Sequence, residues 1–439
     1  DALLQGRGAG INVSEQSGSV GSGAKIRLRG NVSAAMSNQP IIYVDGVRVR
    51  SEGLPKNVGA LGYGGRGANV VYGPLNDINP QDIERIEVIK GAAATTLYGT
   101  EAAAGVIQIF TKRGQTGDAQ WDLQVDQGFS RILAFGPTED FRGRALVVPP
   151  GEDQAPPYGE PDDPSFMYMD PYLRDTAWRQ KYALSVRGGR EDLSYFLSGS
   201  FSTADGVMPI DAEEKVSVRG NFSSTPLPGL TLDWNTSYAR TDIVQTAAGG
   251  NAQGIILNTF RREMNYLGTT EPDVIRRLLE YENTEVIDRF VTGITATYAP
   301  SSTFTSRFTL GYDLLEDAAG SVRPFGFIQA PLGITHANEF QNTALTLDYV
   351  GTFSPRLMDD LTTAFSFGGQ SITTSEHNVQ TYGEDFPGPG EVTVSSAAQT
   401  FGFEDRIRVI NAGFFGQAVI GLKDRYFFTL GGRIDGNSS

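Results

Sequence analysis

Residues 62–67, Gly62-Tyr63-Gly64-Gly65-Arg66-Gly67, spell the G-x-G-x-x-G pattern whose glycines let a backbone approach a pyrophosphate. That chemistry requires a strand before the pattern and a helix after it. Neither is signalled, so a dinucleotide site is set aside. The same stretch offers other chemistry: Tyr63 and Tyr72 carry stacking rings, and Arg66 and Asn69 carry donors, a combination suited to sugars or peptides. The carboxylates of Asp153, Glu160, Asp162, Asp163 and Asp170 could supply oxygen ligands to calcium, but without EF-hand spacing they read first as a solvated loop. With Cys 0, disulfides, Cys-ligated zinc, iron–sulfur clusters and thiol nucleophiles are excluded. His336 and His377, the two histidines, sit in polar, turn-rich stretches and offer little to a multi-histidine metal site or a serine–histidine triad. Lys+Arg 36 against Asp+Glu 51 gives a net charge of −15, which argues against a nucleic-acid partner. No catalytic residue, metal or cofactor is expected, and an enzyme is the weakest function class.

The elements that must position these residues divide near residue 115. Residues 1–114 read as a compact mixed α/β unit. Ile26-Arg27-Leu28-Arg29-Gly30 is a short strand, and Ile41–Val44 is an apolar run closed by Asp45-Gly46, a turn leading into Val47-Arg48-Val49. Ile83–Lys90 is a strand whose alternation breaks once, leaving its register open. Ala92–Tyr98 is the best helix candidate by propensity, and Gly105–Phe110 supplies another strand.

From Trp121 onward the period is two. In 230–238, Leu230, Leu232, Trp234, Thr236 and Tyr238 face one way, and Thr231, Asp233, Asn235 and Ser237 the other. The stretch 304–314 behaves likewise, and about eleven such strands are expected, several near the 9–11 residues of a tilted membrane strand. No segment approaches about 18 consecutive apolar residues, so no membrane-spanning helix is expected. A soluble β-protein also alternates, and the connections separate the two readings. Short links near 190–192, 225–229, 300–302, 354–360 and 422–424 alternate with long ones near 131–179, 204–212, 242–285, 315–340 and 374–404. All the long ones therefore fall on one side, the asymmetry of an outer-membrane barrel, with a large secreted β-protein as the alternative. Trp121, Tyr182, Tyr195, Phe201, Tyr238, Tyr298, Phe304 and Tyr312 fall near strand ends, as girdles would. Eleven is an odd count, and an open sheet would expose two edges in lipid. The natural chain is expected to be longer, with this sequence about half of a barrel of roughly 22 strands. Glu271–Glu282 reads as a short amphipathic helix in a long loop.

A resemblance then becomes specific. Residues 25–49, from Lys-Ile-Arg-Leu-Arg-Gly to Pro40-Ile-Ile-Tyr-Val-Asp-Gly-Val-Arg-Val, and 82–114, DIERIEVIKGAAATTLYGTEAAAGVIQIFTKRG, resemble the plug domain of TonB-dependent outer-membrane transporters, most closely the SusC/RagA branch. The ending Gly-Gly-Arg-Ile-Asp-Gly-Asn-Ser-Ser is similar to a mid-barrel motif of that branch. The resemblance implies an α+β plug domain (1–114) followed by the N-terminal portion of an antiparallel transmembrane β-barrel (115–439). It also implies a bacterial outer-membrane location, with the plug in the lumen and the long loops extracellular. The implied partners are outer-membrane lipid, the TonB complex and a SusD-like surface lipoprotein, and the implied cargo is a glycan or peptide. Tyr63, Arg66, Asn69 and Tyr72 would then sit on a plug loop facing cargo. The basic plug residues Arg27, Arg29, Arg48 and Lys90 are expected to pair with acidic lumen residues. The function expected is energised import of oligosaccharides, peptides or similar large nutrients; the alternative is a binding or surface-assembly protein without energised uptake.

Overall fold

The computed structural model describes residues 10–15, 20–28, 30, 38–54, 73–90, 94–95, 98–131, 173–246, 272–279, 283–327, 330–356, 358, 360–390, 392–423 and 425–438. Its strands form three sheets. β1 (Ile11–Glu15) and β2 (Ala24–Leu28) pair antiparallel. β3 (Ile41–Val44), β4 (Val47–Val49), β5 (Ile83–Ile89) and β6 (Val106–Thr111) form a second sheet in the order β4-β3-β6-β5, in which only β3 and β6 are parallel.

β3 is apolar throughout because both its faces are covered. Ile42 and Val44 pack with Ile107 and Ile109 in one cluster, while Ile41 and Tyr43 pack with Val106 and Ala94 in the other. Asp45 (φ 49°) and Gly46 (φ 88°) both adopt the left-handed conformation that a two-residue hairpin turn requires. The broken alternation of β5 has a cause: its register against β6 shifts between Ile83 and Arg85. The bulge brings Ile83 against the same cluster as Ile86 and Val88. Within the expected helix, Ala94, Thr95 and Tyr98 are helical.

The third sheet has eleven strands in sequence order, each antiparallel to the next. They are β7 (Gly117–Ser130), β8 (Ala177–Gly189), β9 (Leu193–Asp205), β10 (Ala212–Leu227), β11 (Leu230–Gln245), β12 (Asn283–Ser301), β13 (Phe304–Arg323), β14 (Ile334–Phe353), β15 (Leu361–Glu384), β16 (Gln399–Leu422) and β17 (Tyr426–Asn437). Every expected strand is present, but the ladders are longer than expected and reach 24 residues in β15 and β16. Most of the added length lies next to the long connections. There, as in 374–384 of β15, residues on both faces are polar, so the alternation fades while backbone pairing continues. Three long connections accordingly contract to 206–211, 324–333 and 385–398. His336 and His377, expected in turn-rich stretches, lie inside β14 and β15. The helix expected at 271–282 is present as α1 (Pro272–Leu279).

The wall is apolar outside and polar inside. Leu232, Trp234 and Tyr238 of β11 are exposed, whereas Asp233 and Asn235 between them are buried. Trp121, Tyr182, Phe201 and Tyr298 of the expected girdles are likewise exposed. No described helix is long and apolar enough to cross a membrane; the apolar belt is carried by strands.

Candidate functional site

The polar inner face of the wall meets the N-terminal unit along a seam running from β8 to β16. Near its centre, Arg219 of β10 lies 3.7 Å from the carboxylate of Asp45 and 3.6 Å from that of Asp82. Asp45, held in the tight turn, also accepts from the backbone N–H (2.9 Å) and hydroxyl (2.6 Å) of Thr111. The side-chain amide of Asn221 donates to Thr111 Oγ1 and to the Lys112 carbonyl, both at 2.7 Å. One carboxylate thus ties the β3–β4 hairpin to the end of β6, and the wall grips the tie.

One strand pair further on, Arg289 of β12 bridges two carboxylates. It donates to both oxygens of Asp313, at 3.0 and 3.1 Å, and to Asp77 at 3.2 Å. All three side chains are no more than 5 % exposed. Asp313 Oδ2 also accepts the backbone N–H of Arg50 at 3.0 Å. A fork of donors matched to a carboxylate offsets the cost of burying charge here, because nearly every oxygen has a donor. Burial pushes the Asp77 and Asp82 carboxyls up from their ordinary range, and the arginine beside each pulls them back. Arg113 pairs with Asp233 at 2.8 Å, Arg50 pairs with Glu376, and Asn411 of β16 donates to Glu101 at 2.7 Å.

Apolar fits sit among these charges: Leu54 of the N-terminal unit packs with Ile243, Ile287, Leu315 and Phe340 of the wall, and Ile372 of β15 joins the Ile41–Tyr43 cluster. Val47, at the tip of the hairpin, fills a dent in the wall made by Gly293 of β12 and Gly311 of β13, which are directly opposed Cα partners. A Cβ at either glycine would collide with the Val47 methyls. The dent exists because two side chains are missing side by side.

Clefts open at both ends of the seam. The one near the short connections, about 360 Å³, is lined by Tyr43, Tyr98, Arg113, Asp233, Arg307 and Gln370 among others. The one near the long connections, about 350 Å³, is lined by Asn76, Asn79, Lys181, Ser202 and Lys215 among others.

The residues singled out by sequence fare unevenly. Tyr63, Arg66, Asn69 and Tyr72, and the acidic residues 153–170, lie outside the described residues, as does Arg29. Arg48 does not pair with the wall as expected: its guanidinium meets Glu101 of the same N-terminal unit at 2.5 Å, and only its backbone N–H reaches the wall, at Thr346 Oγ1. The reason is proximity, since β4 and the Thr100–Ala104 turn belong to one folded unit. The seam's charges run both ways: Arg219 and Arg289 of the wall meet Asp45, Asp82 and Asp77 of the unit it holds, while Arg50 and Arg113 of that unit meet Glu376 and Asp233 of the wall. Arg219, Arg289, Asp45, Asp77 and the Gly293–Gly311 dent were missed. Their only sequence signal was a charged or absent side chain on the polar face of an alternating strand, or an acid at a turn.

Residues 1–106 match the family model described as the TonB-dependent Receptor Plug Domain. The chain is 25% identical to TonB-dependent receptor P26 of Formosa agariphila over 481 aligned residues, covering 100% of this chain and 45% of that protein. It is 38% identical to TonB-dependent receptor SusC of Bacteroides thetaiotaomicron over 215 residues, covering 47% of this chain and 19% of that one. In fold it matches a chain of the RagAB peptide transporter with a TM-score of 0.77 at 18% identity, covering 99% of this chain and 53% of that chain. The chain spans about half the length of the relatives it matches end to end. With the plug sheet, the eleven-stranded wall and these likenesses together, the chain is a plug domain and part of a barrel similar to those of the TonB-dependent receptors of the SusC/RagA-like branch.

Proposed function

We propose that this chain is the plug (residues 1–114) and the N-terminal portion of the barrel (115–439) of an outer-membrane importer. Its cargo would be oligosaccharides, peptides or similar nutrients too large for open pores, and its energy would come from the TonB complex. The observation that carries this reading is the seam. The plug meets the wall through side-chain hydrogen bonds, ion pairs and local apolar contacts at Val47, Leu54 and Ile372 rather than by sheet continuity. The polar contacts can exchange with water, and the apolar ones are small and local, so a plug that seals at rest can shift when one end is pulled. The apolar outer face of the wall suits lipid, the long connections suit the cell exterior, and the short turns suit the periplasm. The likeness to SusC supports a SusD-like lipoprotein as the partner on the long-loop side. Tyr63, Arg66, Asn69 and Tyr72 are assigned to a plug loop that meets the cargo.

The test is uptake of radiolabelled oligosaccharides and peptides by cells carrying the complete gene product, with and without TonB. Uptake that disappears without TonB is expected. Surface binding that persists while uptake is absent in both strains would favour the binding or assembly protein instead.

A further inference from the structure

The long-loop cleft has a charge arrangement that the seam does not use. On the inner face of the wall the register sets residues in rungs: Lys181 of β8 opposes Ser202 of β9, which opposes Lys215 of β10. Strands are spaced about 4.8 Å apart, so the two lysines stand roughly 10 Å apart on one rung with only a serine between them. The rung above runs Arg179, Ala204, Glu213, and the rung below brings Ser200 against Ser217. All of these residues line the cleft. Two like charges on one rung repel, and among the described residues neither lysine has a carboxylate within salt-bridge distance. The carboxylates within electrostatic range are Glu213, Asp126 on the neighbouring strand, and Asp77 and Asp82 on the plug. The last two are already engaged by Arg289 and Arg219. In a chain of net charge −15, three cations converge here on a cleft with serine hydroxyls and the Asn76 and Asn79 amides around them. Among the described residues, no aromatic ring lines it to stack on a neutral sugar.

We propose that this cleft selects acidic cargo, with the Lys181–Ser202–Lys215 rung binding a carboxylate. The inference rests on the import reading and names its substrate class. Lys181 also donates to Asn79 of the plug at 2.8 Å, so an anion on this rung would touch both wall and plug. Lys215 has no hydrogen bond or ion pair among the described residues, so it is the residue to change without loosening the seam. Either an acidic peptide or a uronic-acid oligosaccharide would present the required group.

The test uses the complete gene product in detergent micelles and calorimetry with two matched probe pairs: triglutamate against triglutamine, and trigalacturonate against galactotriose. At least one acidic probe should bind about tenfold tighter than its neutral counterpart. Lys215→Gln should bring that ratio close to one, and Lys215→Arg should keep it. Which pair shows the preference identifies the source of the carboxylate. Equal affinities within both pairs, no saturable binding of either acidic probe, or a preference that survives Lys215→Gln would each overturn the proposal. Failure of TonB-dependent uptake would count against the import reading and leave this binding result standing.

Discussion

Strand β13 has two faces that obey different rules. Outward, Phe308 and Leu310 are exposed in an apolar belt shared with every other wall strand. Inward, Thr309, Asp313, Leu315 and Asp317 are buried, and each position is particular. Gly311 receives Val47, and Asp313 takes a bidentate Arg289 and the backbone N–H of Arg50. The outer face answers to a solvent, for which any apolar side chain of similar size serves. The inner face answers to one folded partner, so the identity of each residue matters. The specificity of the seam therefore lies in the identity of each inward residue, charged, small or apolar, which a hydropathy reading does not resolve.

That contrast can be broken most severely at Arg289. Arg289→Met leaves Asp77 and Asp313 buried without their cation, and should cost about 3–5 kcal/mol; urea unfolding of the complete protein, followed by proteolysis of the plug, would show it. On the opposite face, Leu310→Arg places a charge in the lipid belt and should cost about 2–4 kcal/mol if the site lies near the bilayer midplane. Folding into vesicles measures this, and the plug's protease resistance should be unchanged. Gly311→Val fills the dent and should cost about 1–3 kcal/mol by overpacking. Val47→Ala in the same chain should recover much of that loss, an interaction that a double-mutant cycle reads directly.

The smallest expected effect belongs to a carboxyl on neither face. Asp211, in the connection between β9 and β10, accepts the backbone N–H of Thr246 at 2.7 Å. Burial pushes its pKa up to about 6. A carboxyl whose folded pKa is raised binds its proton more tightly when folded, so its contribution favours the fold at low pH and is lost as pH rises through about 6. Between pH 5 and pH 7 the protein should lose about 1 kcal/mol from this group. Asp211→Asn should remove that share of the difference, as read from unfolding midpoints at the two pH values.

The outer face was legible because one solvent imposes one rule. The period-two pattern placed nine of the wall strands, the less regular runs 286–299 and 405–421 marked the other two, and the short connections fixed their turn ends to within a few residues. Their other ends were not legible: beyond the apolar belt both faces are polar, so 374–384 of β15 carries no alternation although its ladder continues. In the plug, the Asp45-Gly46 hairpin was readable from turn chemistry, whereas the β5 bulge left only a broken alternation behind. The seam was not readable, because its partners are remote. Asp77 and Arg289 are separated by 212 positions, and Arg50 and Glu376 by 326. A glycine in a strand signals a close approach, but nothing in the neighbourhood of Gly311 says that Val47 is what approaches.

The central claim, that the plug hairpin docks inside the wall at the glycine dent, is tested most directly by a disulfide trap. These 439 residues contain no cysteine, so within them an introduced pair meets no competing thiol. An ideal Cβ at Gly311 lies 3.0 Å from Cβ of Val47, so the two positions need part by only about half an ångström to enter the roughly 3.5–4.5 Å range of a disulfide. In outer membranes carrying the complete gene product with Val47→Cys and Gly311→Cys, mild oxidant should link plug to barrel, seen as a reducible mobility shift. A control pairing Val47→Cys with a cysteine at the outward Leu310 should give none. Failure of the 47–311 pair to link, or equal linking of the control, would contradict the docking.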